Sequence, residues 1–176
     1  ILVSNGKQFD YVLDYSNAKF TNPLFTIAIP LIAKMFANNG YDISILSEFK
    51  KVNVNDYMQL LKFPDGINPE NIKDLKYDHF FKQYSIKTYI PLINFPTSES
   101  THITQIRDEF LSSINSIIKV QAEINGTMRT AIMYLIDEAI NNIIHHSNDD
   151  KGYILAQVYR VNGYMEIAIA DIGRTL

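Results

Sequence analysis

One run of the sequence, residues 135–146, combines a carboxylate, an amide and imidazoles within a helical pattern. It reads LIDEAINNIIHH, with Glu138 and Asn142 four residues apart. At about 100° per residue these two side chains lie one above the other on a helix, and His145 falls on the same stripe. A carboxylate there can orient a water molecule or a hydroxyl, and an amide oxygen one turn later can complete the coordination shell of Mg²⁺.

Each of these residues also has an ordinary structural interpretation. Taken alone, Glu138 is more simply explained as a solvated charge on a surface helix. Two consecutive asparagines, Asn141–Asn142, are poor helix formers in mid-helix and therefore favour a functional reason. The pair His145–His146, followed by Asp149–Asp150, could be a metal cluster. Adjacent histidines diverge by about 100° on a helix, so an interaction with the helix C-terminus is the simpler interpretation.

A second candidate site lies downstream, where the apolar run 164–170 ends in Asp171 and is followed by Gly173. A carboxylate at the end of a buried strand can accept a hydrogen bond from an exocyclic amine, while the glycine lets the backbone pass close to a ligand. An ordinary strand-end turn would have the same composition. The sequence contains neither GxxxxGK[ST] nor GxGxxG, which excludes these two phosphate-binding loops.

Taken together and in this order, the two motifs resemble those of the GHKL superfamily, the ATPases built on the Bergerat fold. Residues 135–147 are similar to the N-box of the anti-sigma-factor serine kinases, E-A-x-x-N-x-x-x-H, and residues 170–173 resemble the start of the G1 box, D-x-G-x-G. The resemblance covers residues 85–176. It implies a histidine-kinase-like ATPase domain that binds ATP and Mg²⁺.

The resemblance assigns a role to each matching residue. It makes Glu138 the general base that activates water or a substrate hydroxyl, and Asn142 the Mg²⁺ ligand. It places His146 at the phosphate end of the N-box. Asp171 would bind the adenine amine, and Gly173 would allow the backbone to approach the base.

The sequence departs from the family pattern in two ways. Thr175 stands where the G1 box has its second glycine, and the ATP lid, the second glycine box and the last strand of the fold are missing. Because the chain begins at Ile1 and ends at Leu176 without a natural start or end, we expect it to be a fragment of a longer protein, truncated before the lid.

The elements that must position these residues follow from the hydrophobic pattern of residues 85–176. The predicted order is a strand, two helices and a β-hairpin, at residues 85–95, 101–120, 128–146, 153–161 and 164–170. This order predicts an α+β sandwich, a partial Bergerat-type fold with helices on one face of a mixed sheet. The predicted core face of the second helix comprises Ile132, Leu135, Ile136, Ala139 and Ile143. Glu138 and Asn142 should then lie at a right angle to the core.

The preceding residues 1–67 predict a small α/β layer. Strands at 9–15 and 41–46 alternate with a helix that Asn22 caps, over residues 24–36, and with a helix at 53–62, which implies a parallel strand pair. Pro30 should kink the first helix or move its start. Residues 14–23 are similar to the STAS-like domains of anti-anti-sigma factors, with Thr21 as the local hydroxyl in the region where that family is phosphorylated. Residues 68–84 are expected to be a linker.

Composition limits the classes of function. The chain has 176 residues, a net charge of −3 and no cysteine, which fits a reducing cytoplasm. The absence of a basic run argues against nucleic-acid binding, and no apolar stretch is long enough to cross a membrane. The sequence thus predicts an ATP-binding regulator in bacterial signalling, a Mg²⁺-dependent protein serine/threonine kinase or an ATPase that acts on a protein partner, either alone or as a homodimer. The alternative is a non-catalytic binding module that regulates such a partner.

Overall fold

The computed structural model describes residues 10–19, 21–46, 50–72, 76–98, 100–121, 126–147 and 149–173. It has a mixed α+β architecture with a two-stranded parallel sheet and a three-stranded antiparallel sheet. The elements, in chain order, are β1 (Asp10–Asp14), α1 (Pro23–Asn38), β2 (Asp42–Leu46), α2 (Val52–Leu60), α3 (Tyr77–Lys82), β3 (Tyr89–Pro96), α4 (Thr101–Gln121), α5 (Gly126–His146), β4 (Lys151–Tyr159) and β5 (Tyr164–Ala170).

The predicted strand–helix–strand unit of the first half is confirmed. β1 pairs with β2 in parallel, with Asp10 opposite Asp42 and Asp14 opposite Leu46. Asn22 caps α1, because its Oδ1 accepts a hydrogen bond from the Phe25 N–H at 2.9 Å. Pro30 lies inside the helix without moving its start.

The larger sheet has the strand order β3-β4-β5 and two differently packed faces. Met165, Ile167 and Ile169 of β5 pack on one face, into a core cluster that includes residues of α4 and α5. Ala168 and Ala170 lie on the other face, in a cluster that contains residues of α1 and α2. The side chains of β5 therefore alternate between the two faces of the sheet.

This sheet differs from the expected one in two respects. It is antiparallel throughout its described strands, not mixed. It is also covered on both faces, because the first half of the chain supplies the second layer of helices. The extra layer is what allows β3 and β4 to be almost completely apolar and buried.

The expected linker at 68–84 takes part in the core. It contains a short 3-10 turn, Pro69–Asn71, and α3, whose Tyr77 and Phe81 are fully buried. Just before it, Leu61 and Ile67 form backbone hydrogen bonds with Leu92, so the chain follows the outer edge of β3. Among the residues that the structure describes, no helix combines the length and the apolar character needed to cross a membrane.

Candidate functional site

The orientation of α5 decides what its polar residues can reach. α5 contacts β4 and β5, while α4 contacts β3, so the two helices lie side by side on one face of the sheet. The buried residues of α5 are Ile136, Ile140 and Ile143. The prediction that Leu135 belongs to the core is wrong, since its side chain is 65% exposed. Ile140 takes its place because the helix is turned toward α4.

Because Ile140 is buried in place of Leu135, α5 is rotated about its axis relative to the predicted orientation. The rotation moves Glu138 further from its predicted position than Asn142. At about 100° per residue, Glu138 lies about 165° from the mean direction of the three buried isoleucines, and Asn142 about 125°. The prediction that both lie at a right angle to the core is therefore wrong, and Glu138 is on the outer face of the helix. Both side chains are exposed and have no hydrogen-bond or ion-pair partner within the described part of the chain.

The two flanks of α5 have different surroundings. The flank toward α4 borders a polar groove of about 510 Å³, into which Asp137, Asn141 and Arg129 project. Asn142 and the exposed His146 lie on the opposite flank of α5, which points away from α4 and beyond the edge strand β5. The groove and the N-box residues of the resemblance are thus on different sides of the same helix.

Asp171 and Gly173 follow the end of β5. The last strand pair joins Tyr153 to Ala170, so the next position, 171, comes opposite Gly152. Position 171 is two residues beyond Ile169, and the alternation of the strand assigns it to the face that α4 and α5 cover. Gly152 itself lies directly beneath Ile143, because a Cβ there would be 3.0 Å from Ile143 Cγ2.

Gly173 has a φ of +64°, a left-handed conformation that glycine adopts without strain. This conformation fits both interpretations of the segment, an approach to a ligand and an ordinary strand-end turn. Asp171 is half-buried, and its carboxylate has no partner within the described residues. By the strand register, Asp171 lies at the end of the sheet where Ile143 of α5 packs over Gly152.

The loop after α5 holds an ion pair that joins the two halves of the chain. Lys34 Nζ of α1 donates to Asp149 Oδ1 at 2.6 Å and to Asp150 Oδ1 at 3.0 Å. Burial alone would lower the pKa of Lys34, but these two hydrogen bonds outweigh it and raise the pKa. Burial also raises the pKa of Asp149, against the opposing effect of Lys34. No local sequence signal predicts this pair, because its partners are 115 residues apart.

The metal cluster considered for His145–His146 and Asp149–Asp150 has no support in the described residues. They contain no group of three histidine, cysteine or acidic side chains placed to hold one ion. The two aspartates instead bind the Lys34 ammonium group, which supplies the positive charge that a metal ion would bring.

Thr21, the hydroxyl of the STAS-like resemblance, is buried. Its Oγ1 lies 2.5 Å from Thr26 Oγ1 of α1, and only 7% of the residue is exposed. In this conformation the hydroxyl belongs to a closed hydrogen-bonded pair beside the start of α1. A kinase would need a local opening of this loop to reach it.

No protein-family model, curated protein or solved structure shows significant similarity to this chain. The resemblance to the GHKL and STAS-like families therefore rests on the motifs and on their placement.

Proposed function

We propose that this chain is part of an ATP-binding regulatory protein of the GHKL type that acts on a protein partner in bacterial signalling. Its reaction would be Mg²⁺-dependent transfer of the γ-phosphoryl group to a serine or threonine, or hydrolysis of ATP. The proposal assigns the protein to the cytoplasm, where ATP is available and a chain without cysteine needs no disulfide bond.

One observation carries the proposal: the spatial relation of α5 to the end of β5. Asn142 and His146 lie on the flank of α5 that faces past β5, and Asp171 ends β5 on the face that α5 covers. Asn142 and Asp171 are 29 residues apart in the sequence. Their positions at the same end of the sheet support the proposal that both belong to one pocket. The β4–β5 hairpin returns the end of β5 to the start of β4, close to the end of α5, and this is the topology that such a pocket needs.

The donor set also fits the ligand. Asn142 offers an amide oxygen and Asp171 a carboxylate, and both are free of other partners within the described part of the chain. Mg²⁺ prefers oxygen ligands and needs few from the protein, and it would neutralise charge on the phosphates when bound. Asn142 would hold the metal, and Asp171 would accept a hydrogen bond from the adenine amine.

The second candidate function, a module that binds without turnover, is favoured by the position of Glu138. A general base must come within hydrogen-bond reach of the group whose proton it takes. Glu138 is exposed on the face of α5 that points away from the sheet. The same α5 orientation leaves Asn142 closer to the pocket, so binding is better supported than catalysis.

Titration of the intact protein with Mg-ATP tests the proposal. We expect Asn142→Ala and Asp171→Ala each to weaken binding by about tenfold or more, because each removes a direct ligand. Asn141→Ala is the matched control: the same residue type, also exposed, on the flank toward α4. It should leave the affinity unchanged. Absence of Mg-ATP binding, or an equal effect of both asparagine variants, would refute the proposal.

Turnover separates the two candidate functions. If Glu138 is the base, Glu138→Gln should abolish hydrolysis or phosphoryl transfer while Mg-ATP still binds. Asp137→Asn, which removes the neighbouring charge on another side of the helix, serves as the control. Tight binding without turnover in the unmodified protein would establish the binding module instead.

A further inference from the structure

A cavity of about 260 Å³ lies where the two halves of the chain meet, on the face of the sheet that α5 does not cover. Three segments line this open cavity: the loop between β1 and α1, the first two turns of α2, and the end of β4. Its lining includes Lys19, Thr21, Asn53, Tyr57, Gln157 and Tyr159. The proposed nucleotide pocket uses none of these residues.

The position is one that α/β folds commonly use for ligands. β1 and β2 run in parallel, and the loop with Lys19 and Thr21 follows the carboxyl end of β1. Crevices outside the carboxyl ends of parallel strands, and junctions between domains, are frequent binding sites. This cavity meets both conditions.

The tyrosines form an uncharged, partly apolar wall. The Tyr57 hydroxyl donates to Gln157 Oε1 at 2.8 Å, which leaves the phenolic oxygen able to accept. Burial raises the pKa of Tyr57, so its hydroxyl stays protonated at physiological pH. Burial and the nearby Glu166 raise the pKa of Tyr159 to about 12, and its hydroxyl donates to Glu166 Oε2 at 3.3 Å.

Lys19 is the one charged side chain among the residues that line the cavity. It has no ion-pair partner within the described part of the chain. The nearby Lys50 is already bound to Asn17 Oδ1 at 2.9 Å. One free ammonium group and two aromatic rings in the lining of the same cavity favour a ligand with one negative charge and a flat apolar body.

We propose that this cavity binds a small planar monoanion of the aromatic carboxylate class, with its ring against Tyr57 and Tyr159 and its carboxylate at Lys19. The cavity is smaller than the 300–1,000 Å³ or so typical of drug-sized ligands, which favours a single ring over a nucleotide. Because its walls come from both halves, a bound ligand would stabilise their packing and give the first half a means to sense a metabolite.

Isothermal titration with benzoate tests the site, with benzamide as the uncharged isostere. We expect benzoate to bind and benzamide to bind at least about tenfold more weakly, because only the carboxylate can pair with Lys19. Lys19→Gln should weaken benzoate binding by about tenfold. Lys87→Gln, which changes an exposed lysine outside the cavity, should leave it unchanged.

A second variant separates the cavity from a general charge effect. Asn53→Trp fills the mouth of the cavity from the exposed first turn of α2 and should abolish benzoate binding while the far-UV circular dichroism is retained. No binding of benzoate at millimolar concentration would overturn the proposal. Equal affinity for benzamide, or binding that survives both Lys19→Gln and Asn53→Trp, would overturn it as well.

Discussion

Tyr57 links α2 to the sheet through one hydrogen bond in a partly buried site. Its hydroxyl donates to Gln157 Oε1, and Gln157 Nε2 donates in turn to the Val158 carbonyl at 2.9 Å. Gln157 is only 9% exposed, so its side chain has little access to water as a substitute partner. One phenol therefore satisfies the acceptor that a buried glutamine would otherwise leave unpaired.

Removing this hydroxyl gives a prediction for both stability and pH dependence. Tyr57→Phe should lower the free energy of unfolding at pH 7 by about 1–2 kcal/mol, because Gln157 Oε1 loses its donor. Burial raises the Tyr57 pKa, so only the unfolded chain releases this proton near pH 10, and the stability of the unmodified protein falls above that pH. The difference in free energy of unfolding between the unmodified protein and Tyr57→Phe should therefore decrease as the pH rises past 10.

Urea denaturation between pH 7 and 11 measures both effects. Tyr134→Phe, on the exposed surface of α5, is the control and should follow the unmodified protein throughout. If the stability difference between the unmodified protein and Tyr57→Phe stays constant through pH 10–11, the Tyr57 proton does not contribute to the pH dependence of stability.

At the scale of elements, the approach of α5 to the sheet depends on Gly152 of β4. A Cβ at this position would overlap the ring of the fully buried Phe95 and come within 3.0 Å of Ile143 Cγ2. Gly152, the position opposite Asp171 by the strand register, thus lets α5 lie close to β4. The geometry of the proposed nucleotide pocket depends on this close contact.

Gly152→Ala should therefore lower the free energy of unfolding by about 2–3 kcal/mol through overpacking. The double variant with Phe95→Leu tests the cause, because a shorter side chain makes room for the new methyl group. The decrease in free energy of unfolding of the double variant, measured by urea denaturation, should be clearly smaller than the sum of the decreases of the two single variants. Simple additivity would mean that Phe95 is not the obstacle.

The elements also show what a single sequence reveals. β5 and the Asn22-capped start of α1 were predictable, because strand alternation and capping are local patterns. The rotation of α5 was not, since Leu135 and Ile140 are equally apolar and only the position of α4 decides which is buried. The Lys34–Asp149 pair and the Tyr57–Gln157 bond were also beyond reach, because each joins residues at least 100 apart.

At the scale of the molecule, the two predicted domains share one core. Ile27, Met58 and Leu61 from the first half pack in the same cluster as Leu92 and Leu155 of the sheet. The backbone hydrogen bond from Leu92 to Leu61 and the ion pair of Lys34 cross the same boundary. The first half is thus placed to influence the sheet that carries Asp171.

This shared core predicts that the chain unfolds in a single cooperative transition, with the same midpoint by far-UV and near-UV circular dichroism. Met58→Ala in α2 and Ile114→Ala in α4 remove fully buried side chains from opposite sides of the sheet. Each should shift the whole transition to lower urea concentration, by about 2–5 kcal/mol in stability. Val161→Ala, at the fully exposed tip of the β4–β5 hairpin, should shift nothing. Two separate transitions, of which Met58→Ala moves only one, would instead establish the halves as independent domains.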